Sequence, residues 1–198
     1  MKLINRKLKY KAHRVKVYED TILSPEGDEL HFDYVENRNG SGVLLVDEEG
    51  RFIFVKQYRN ILDDYDIEIP AGCVEPGDFQ QDKTFDYKKR ENFETDESPF
   101  YKCALREAEE ETGLIPDKLT FVNYIIAAAG LFSERTAVYI GTDLKKGTIH
   151  RDDDEFIDII RLTPEEALQY VYEGKINDSK TIIAILAYHN RNYTTVTN

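Results

Sequence analysis

Glu107, Glu110 and Glu111 have the spacing that turns three carboxylates to one side of a helix. At about 100° per residue they fall within one arc of roughly 100°, while Glu109 points the other way. Extended backwards, the same helix puts Phe100, Cys103 and Ala104 on that arc, so the stripe that should pack inward becomes acidic over its last two turns. An ordinary solvated acidic run would continue the polar face instead. Carboxylates held together in this way repel one another unless a cation neutralises them. Ligands that offer only oxygen suit Mg²⁺, with Mn²⁺ as the alternative, and do not suit zinc.

The helix that carries these groups is well marked. Ser98 is a good N-cap, Pro99 stands at the first helical position and Gly113 follows as a stop. Upstream, the run Glu68-Ile69-Pro70-Ala71-Gly72-Cys73-Val74-Glu75-Pro76-Gly77-Asp78 supplies a loop in which glycine permits close backbone approach or positive φ. Two hairpins precede it. The first alternates from about Ala12 to Val35 around the turn Ser24-Pro25-Glu26-Gly27-Asp28. The second runs from Gly42 to Val46 and from Phe52 to Tyr58 around Asp47-Glu48-Glu49-Gly50, and its unbroken Val43-Leu44-Leu45-Val46 predicts a strand covered on both faces.

Beyond the acidic helix, a strand from Leu119 to Ala127, the loop Ala128 to Arg135 and a strand from Thr136 to Gly141 are expected. A polar loop from Thr142 to Glu155 contains Arg151-Asp152-Asp153-Asp154-Glu155, which in isolation reads as a solvated acidic turn. The strand Phe156 to Leu162 leads into the capping box Thr163-Pro164-Glu165-Glu166, a helix from Pro164 to Glu173 and the stop Gly174. A strongly apolar helix from Ser179 to about Asn190 closes the chain. One α/β (α+β) domain over residues 1–198, with helices flanking a mixed sheet, accounts for these elements.

Composition narrows the partners. The net charge is −12 over 198 residues and no Lys/Arg cluster stands out, so a nucleic-acid partner is disfavoured, while an anionic small molecule remains open if metal ions bridge the two. No apolar run approaches 18 residues, so no membrane span is expected. The two cysteines, Cys73 and Cys103, read as small buried apolar groups. Together with the lack of a signal-peptide pattern, they predict a soluble protein of a reducing cytoplasm.

The run Arg106-Glu107-Ala108-Glu109-Glu110-Glu111-Thr112-Gly113 resembles the Arg-Glu-x-x-Glu-Glu-x-Gly end of the Nudix box, and Ala71-Gly72 with its neighbours resembles the glycine loop of that box. The chain as a whole looks like the ADP-ribose pyrophosphatase branch of the Nudix hydrolases. That resemblance implies a Nudix-type α/β/α sandwich with a mixed β-sheet and an N-terminal antiparallel hairpin over residues 1–40, exchanged between the subunits of a homodimer. It implies a metal set of the Ala71 carbonyl, Glu107, Glu110, Glu111 and Glu155, and a general base from the acidic pair Asp153 and Glu155, with Asp where a Glu is usual. Arg106 would hold the loop to the helix through a neighbouring carboxylate.

On the substrate side, Arg59 at the end of Lys56-Gln57-Tyr58-Arg59 resembles the arginine presented to phosphate, although a strand-end arginine is more ordinarily a surface residue. Glu68 and Glu134 fall in segments that face the substrate in the resembling enzymes. Phe32 or Tyr34 would stack on the base, although strand aromatics more often pack in a core or on a sheet face. One departure stands out. Phe79 to Leu105 separates the halves of the box where the family has seven residues, and the insertion 79–97, charged with interspersed aromatics, reads as a surface excursion. Asp78 and Glu97 are both candidates for the family's loop-supporting glutamate. The implied activity is metal-dependent hydrolysis of the diphosphate linkage of ADP-ribose or a related nucleoside diphosphate sugar. The alternatives are a GDP-mannose or other nucleoside diphosphate sugar pyrophosphatase, and a sensor that binds ADP-ribose without cleaving it.

Overall fold

The computed structural model describes residues 1–78, 85–150 and 156–194, which form two compact units. The first comprises Met1–Asn39 and Ile126–Arg135. It contains an antiparallel three-stranded sheet, β1 (Lys2–Lys11), β2 (Lys16–Leu23) and β3 (Glu29–Glu36), in that order. The β2–β3 turn is closed as its sequence predicts: Ser24 Oγ accepts from the Glu26 and Asp28 amides, and Gly27 takes a φ of 96°. β1 was not expected. Its Lys-rich alternation, exposed on both faces, carries no burial signal, yet Arg6 makes a two-point pair with Asp20 of β2 at 2.7 and 2.6 Å. The segment 126–135 is tied to this unit through Val35, whose amide donates to Leu131 and whose carbonyl accepts from Ser133.

The second unit, Gly40–Ile125 with Thr136–Asn198, is built on a seven-stranded mixed sheet. Its strands are β4 (Gly40–Val46), β5 (Phe52–Arg59), β6 (Asp64–Glu68), β7 (Ala71–Cys73), β8 (Leu114–Ile125), β9 (Thr136–Lys146) and β10 (Ile157–Leu162). The spine runs β10-β5-β4-β9-β8, parallel only between β4 and β9. Helix α1 (Pro99–Thr112) covers one face, while α2 (Pro164–Tyr172) and α3 (Ser179–Thr194) cover the other. The continuous run in β4 divides between them: Val43 and Leu45 pack with Phe100, Cys103, Ala104 and Ala108, whereas Leu44 and Val46 pack with Ala167, Ala184 and Ile185.

The feature that positions the site is a split in the middle of this sheet. β4 and β5 pair only at Leu45–Ile53 and Val46–Phe52. Beyond that point β5 pairs with β6 from Val55 to Arg59, and β4 pairs with β7 from Gly40 to Gly42. The connection Glu68–Ala71 therefore lies where the two strands part, held by a hydrogen bond from the Val43 amide to the Pro70 carbonyl at 3.0 Å.

Three details depart from expectation. β9 runs on to Lys146, so part of the predicted polar loop is strand, and β8 starts directly after α1 at Leu114. The pairs Lys118–Asp143 at 2.7 Å and Lys145–Asp117 at 2.6 Å show why polarity did not end the strands, because charges on exposed sheet positions are paired across the ladder. Ser98 has extended cap geometry but makes no side-chain cap bond. The described part of the insertion is not a simple surface excursion. Phe93 is fully buried, stacked on Phe121 at 4.7 Å and Tyr124 at 5.3 Å, and its carbonyl accepts from the Tyr139 hydroxyl at 2.8 Å. Phe85 and Tyr87 pack against the same cluster.

Candidate active site

The inward stripe of α1 does turn acidic. Phe100, Cys103, Ala104 and Ala108 are fully buried, and the stripe continues into Glu107, 8 % exposed, and Glu111, 3 % exposed, with Glu110 at its margin. Glu109 faces elsewhere and accepts from the Thr148 amide. At the end of the helix Gly113, with a φ of 69°, donates to the Glu109 carbonyl and closes the last turn.

Two of these carboxylates meet the glycine loop directly. Glu111 Oε2 accepts the Ala71 amide at 3.1 Å. Glu107 lies so close to Gly72 that any larger residue there would displace it, because an added Cβ would stand 2.1 Å from Oε1. Arg106 ties the assembly together. Its Nη1 lies 2.8 Å from both Glu107 Oε1 and Glu110 Oε2, and its Nη2 donates to the Cys73 carbonyl at 2.9 Å and lies 3.7 Å from Asp78 Oδ2. Burial opposes the arginine's charge, but Glu107 and Glu110 outweigh it and hold the guanidinium protonated well above its usual range. Asp78 accepts the Glu75 amide at 2.8 Å and so braces the loop. Cys103 is a buried thiol pushed up by burial, beside the Gly72 carbonyl, and both cysteines are free.

Next to this face lies a charged cluster at the end of β5. Arg59 grips Glu68 with Nε at 2.5 Å and Nη2 at 2.9 Å, and Glu111 adds its field to the arginine. Lys180 of α3 donates to Glu68 Oε2 at 2.5 Å and pairs with Asp178 at 3.0 Å. Burial works against the Glu68 charge, yet the Arg59 hydrogen bonds and the two cations hold its carboxyl down at about 2. Sequence reasoning placed Arg59 and Glu68 here but missed Lys180 and Asp178, since a lysine in the first turn of a helix carries no local sign that it is 14 % exposed.

The remaining predicted residues belong to the other unit or lie outside the described residues. Phe32, Tyr34 and Glu134 belong to the N-terminal unit. Phe32 is 48 % exposed on β3, the Arg6 guanidinium lies 3.8 Å from the Tyr34 ring centroid, and Glu134 accepts from Asn37 Nδ2 at 2.5 Å. Asp153 and Glu155 lie outside the described residues.

The donor set fits a hard divalent cation in chemistry. Asp78, Glu107, Glu110 and Glu111 offer only oxygen, and Arg106 lies against the first three. The excess negative charge favours a metal. Among the described residues no group of three or more His, Cys, Asp or Glu side chains converges at metal-holding distance, since Glu107 and Glu110 meet through Arg106 and Glu111 turns to Ala71. No helix among the described residues is long and apolar enough to cross a membrane.

Comparison with known proteins gives the family. Residues 36–184 match the family model of the NUDIX domain. A methanol dehydrogenase activator of Bacillus methanolicus is 33 % identical over 173 residues, covering 86 % of this chain and 83 % of that protein. An ADP-ribose pyrophosphatase of Bacillus subtilis is 32 % identical with the same coverage, and that of Escherichia coli K12 is 31 % identical over 79 % of this chain and 63 % of its own length. A crystal structure of an ADP compounds hydrolase superposes with a TM-score of 0.77 at 17 % identity, covering 98 % of this chain and 96 % of that one, and so shares the fold. A glycine loop seated against an acidic helix face, the match over residues 36–184 and relatives above 30 % identity together show that the chain belongs to the NUDIX domain family.

Proposed function

We propose that the chain hydrolyses the diphosphate linkage of ADP-ribose, or of a closely related nucleoside diphosphate sugar, to a nucleoside monophosphate and a sugar phosphate. The observation that carries this reading is that Glu111, which shares an oxygen-only helix face with Glu107 and Glu110, lies within the field of the Arg59 guanidinium. The carboxylate face suits a cation and the guanidinium a phosphate. The ADP-ribose pyrophosphatases similar to it over most of its length support the same substrate class.

In this reading Glu107, Glu110, Glu111 and the Ala71 carbonyl would hold Mg²⁺, or Mn²⁺ in its place, and Glu155 would add a ligand. When bound, the metal would supply charge to neutralise the diphosphate and to lower the pKa of an attacking water. The water oxygen bonds to one phosphorus while the bridging P–O bond breaks, and the bridging oxygen leaves on the other phosphate. Arg59 binds the diphosphate and Glu68 fixes the plane of its guanidinium. Asp153 or Glu155 takes the proton of the water. Glu134 contacts the substrate and Phe32 or Tyr34 stacks on the base, in a homodimer whose N-terminal strands are exchanged. A reducing cytoplasm suits the two free thiols.

The test is a substrate panel with Mg²⁺, in which ADP-ribose, GDP-mannose and other nucleoside diphosphate sugars are assayed for released mononucleotide. AMP and ribose 5-phosphate from ADP-ribose are expected. Preferential GMP release from GDP-mannose replaces the substrate, and tight ADP-ribose binding without cleavage makes the chain a sensor. Because one similar protein is named a methanol dehydrogenase activator, a methanol dehydrogenase assay with and without the chain belongs in the same panel.

A further inference from the structure

The first turn of α3 is fastened to the strand end that carries the Arg59 partner. Thr181 Oγ1 accepts the Ile69 amide at 2.9 Å and donates to Asp178 Oδ2 at 2.6 Å, and the Thr181 amide donates to the same oxygen at 2.9 Å. Lys180 lies between the two carboxylates, 2.5 Å from Glu68 Oε2 and 3.0 Å from Asp178 Oδ1. Asp66, buried on β6, brings a third carboxylate into this field.

Arg59 spends its Nε and Nη2 edge on Glu68, and the Nη1 end of the planar guanidinium takes no part in that fork. If Arg59 alone faced Glu68, Asp66 and Asp178, its charge would be consumed by them and a diphosphate would meet a net negative site. Lys180 supplies the second cation. Arg59 and Lys180 then offset two of those three carboxylates, so the arginine stays oriented with less of its charge spent on them.

We propose that Lys180 is a positioning residue for substrate phosphate, acting through Glu68 to keep Arg59 aligned and its charge available. This rests on the assignment of Arg59 as a phosphate ligand under the proposed function. Lys180 contacts Glu68 and Asp178 and reaches the phosphate through them. Its effect is therefore expected in binding and not in the chemical step.

The experiment compares wild type, Lys180→Met, Lys180→Arg and the double variant Lys180→Met/Asp178→Asn. It measures ADP-ribose turnover with Mg²⁺ and calorimetric binding of a non-hydrolysable methylene analogue of ADP-ribose. Lys180→Met should raise KM and the analogue Kd about tenfold, with kcat changed less than about threefold. Lys180→Arg should restore most of the loss. The double variant should also recover it, since Asn still caps the helix while one negative charge is removed with the positive one. Unchanged KM and Kd in Lys180→Met overturn the proposal, as does a loss that neither Lys180→Arg nor the double variant repairs, because a merely structural lysine would behave so. A wild type that binds the analogue but cleaves nothing overturns the proposed hydrolysis while leaving the Lys180 comparison readable in Kd. A wild type that binds no analogue overturns both.

Discussion

The Glu107 carboxylate of α1 is seated directly on the backbone of Gly72, with an imagined Cβ at that glycine only 2.1 Å from Oε1. Glycine is needed at that point for access, since its φ is not among the positive ones. The obstructed atom is the end of a flexible side chain, so Gly72→Ala should displace Glu107 and spare the fold. We expect kcat/KM to fall by roughly a hundredfold, the scale on which a misplacement of about 1 Å acts, with a circular dichroism spectrum like that of the wild type. Near-normal turnover in that variant would show that Glu107 need not sit against the loop.

Glu110 is the member of the acidic face at the margin of burial, and its carboxylate is shared with Arg106 at 2.8 Å. Glu110→Gln keeps the shape and an acceptor for Arg106 but removes the charge a metal would need. Turnover should drop by about a hundredfold or more, with a larger Mg²⁺ requirement. A partly exposed ion pair contributes about 0–1 kcal/mol, so Tm should move by only a few degrees. Full activity at the wild-type Mg²⁺ optimum would remove Glu110 from the metal set.

What could be read from the sequence follows from which signals are local. The acidic face of α1 was legible because helical period alone places Glu107, Glu110 and Glu111 with Phe100 and Cys103, and their burial follows that stripe. The two-sided burial of β4 was legible for the same kind of reason, with Val43 and Leu44 packed to opposite faces. β1 was missed because exposure on both faces erases the alternation that marks a strand. Phe93 was misjudged because Arg90, Glu91, Asn92 and Glu94 surround it in sequence, while its partners Phe100 and Phe121 come from elsewhere. Lys180 was illegible for a deeper reason: its partner Glu68 arrives only through the split between β4 and β5.

The burial of Phe93 makes the insertion testable as core. Its ring packs on Phe100 of α1 at 5.1 Å as well as on Phe121, so it couples the insertion to the helix that carries Glu107, Glu110 and Glu111. Phe93→Ala should cost about 3–5 kcal/mol in urea unfolding, whereas Lys88→Ala, at an exposed position of the same insertion, should stay within about 0.5 kcal/mol. Equal, small losses for both would return the insertion to the surface.

Glu68 supplies a prediction with a sign that depends on pH. Despite burial, Arg59 and Lys180 hold its carboxyl down at about 2 in the folded chain, from an ordinary value of 4.5. A carboxyl depressed by folding contributes stability that is fully present above its unfolded value and is lost as pH falls through the folded one. The window therefore runs from about pH 4.5 down to about pH 2, and the contribution above it is on the order of 3 kcal/mol. Glu68→Gln should thus be less stable than wild type by roughly that amount at pH 7, since the amide cannot pair with two cations. Below pH 4.5 the two unfolding curves should converge, because protonated Glu68 leaves Arg59 and Lys180 in the same position as the amide does. Carboxylates remote from this cluster titrate alike in both proteins and cancel in the difference, whereas Asp66, held up in part by the Glu68 charge, titrates lower in the variant. A gap that stays constant from pH 7 to pH 2 would mean that the loss comes from shape and packing, and that the charge of Glu68 does not stabilise this strand end.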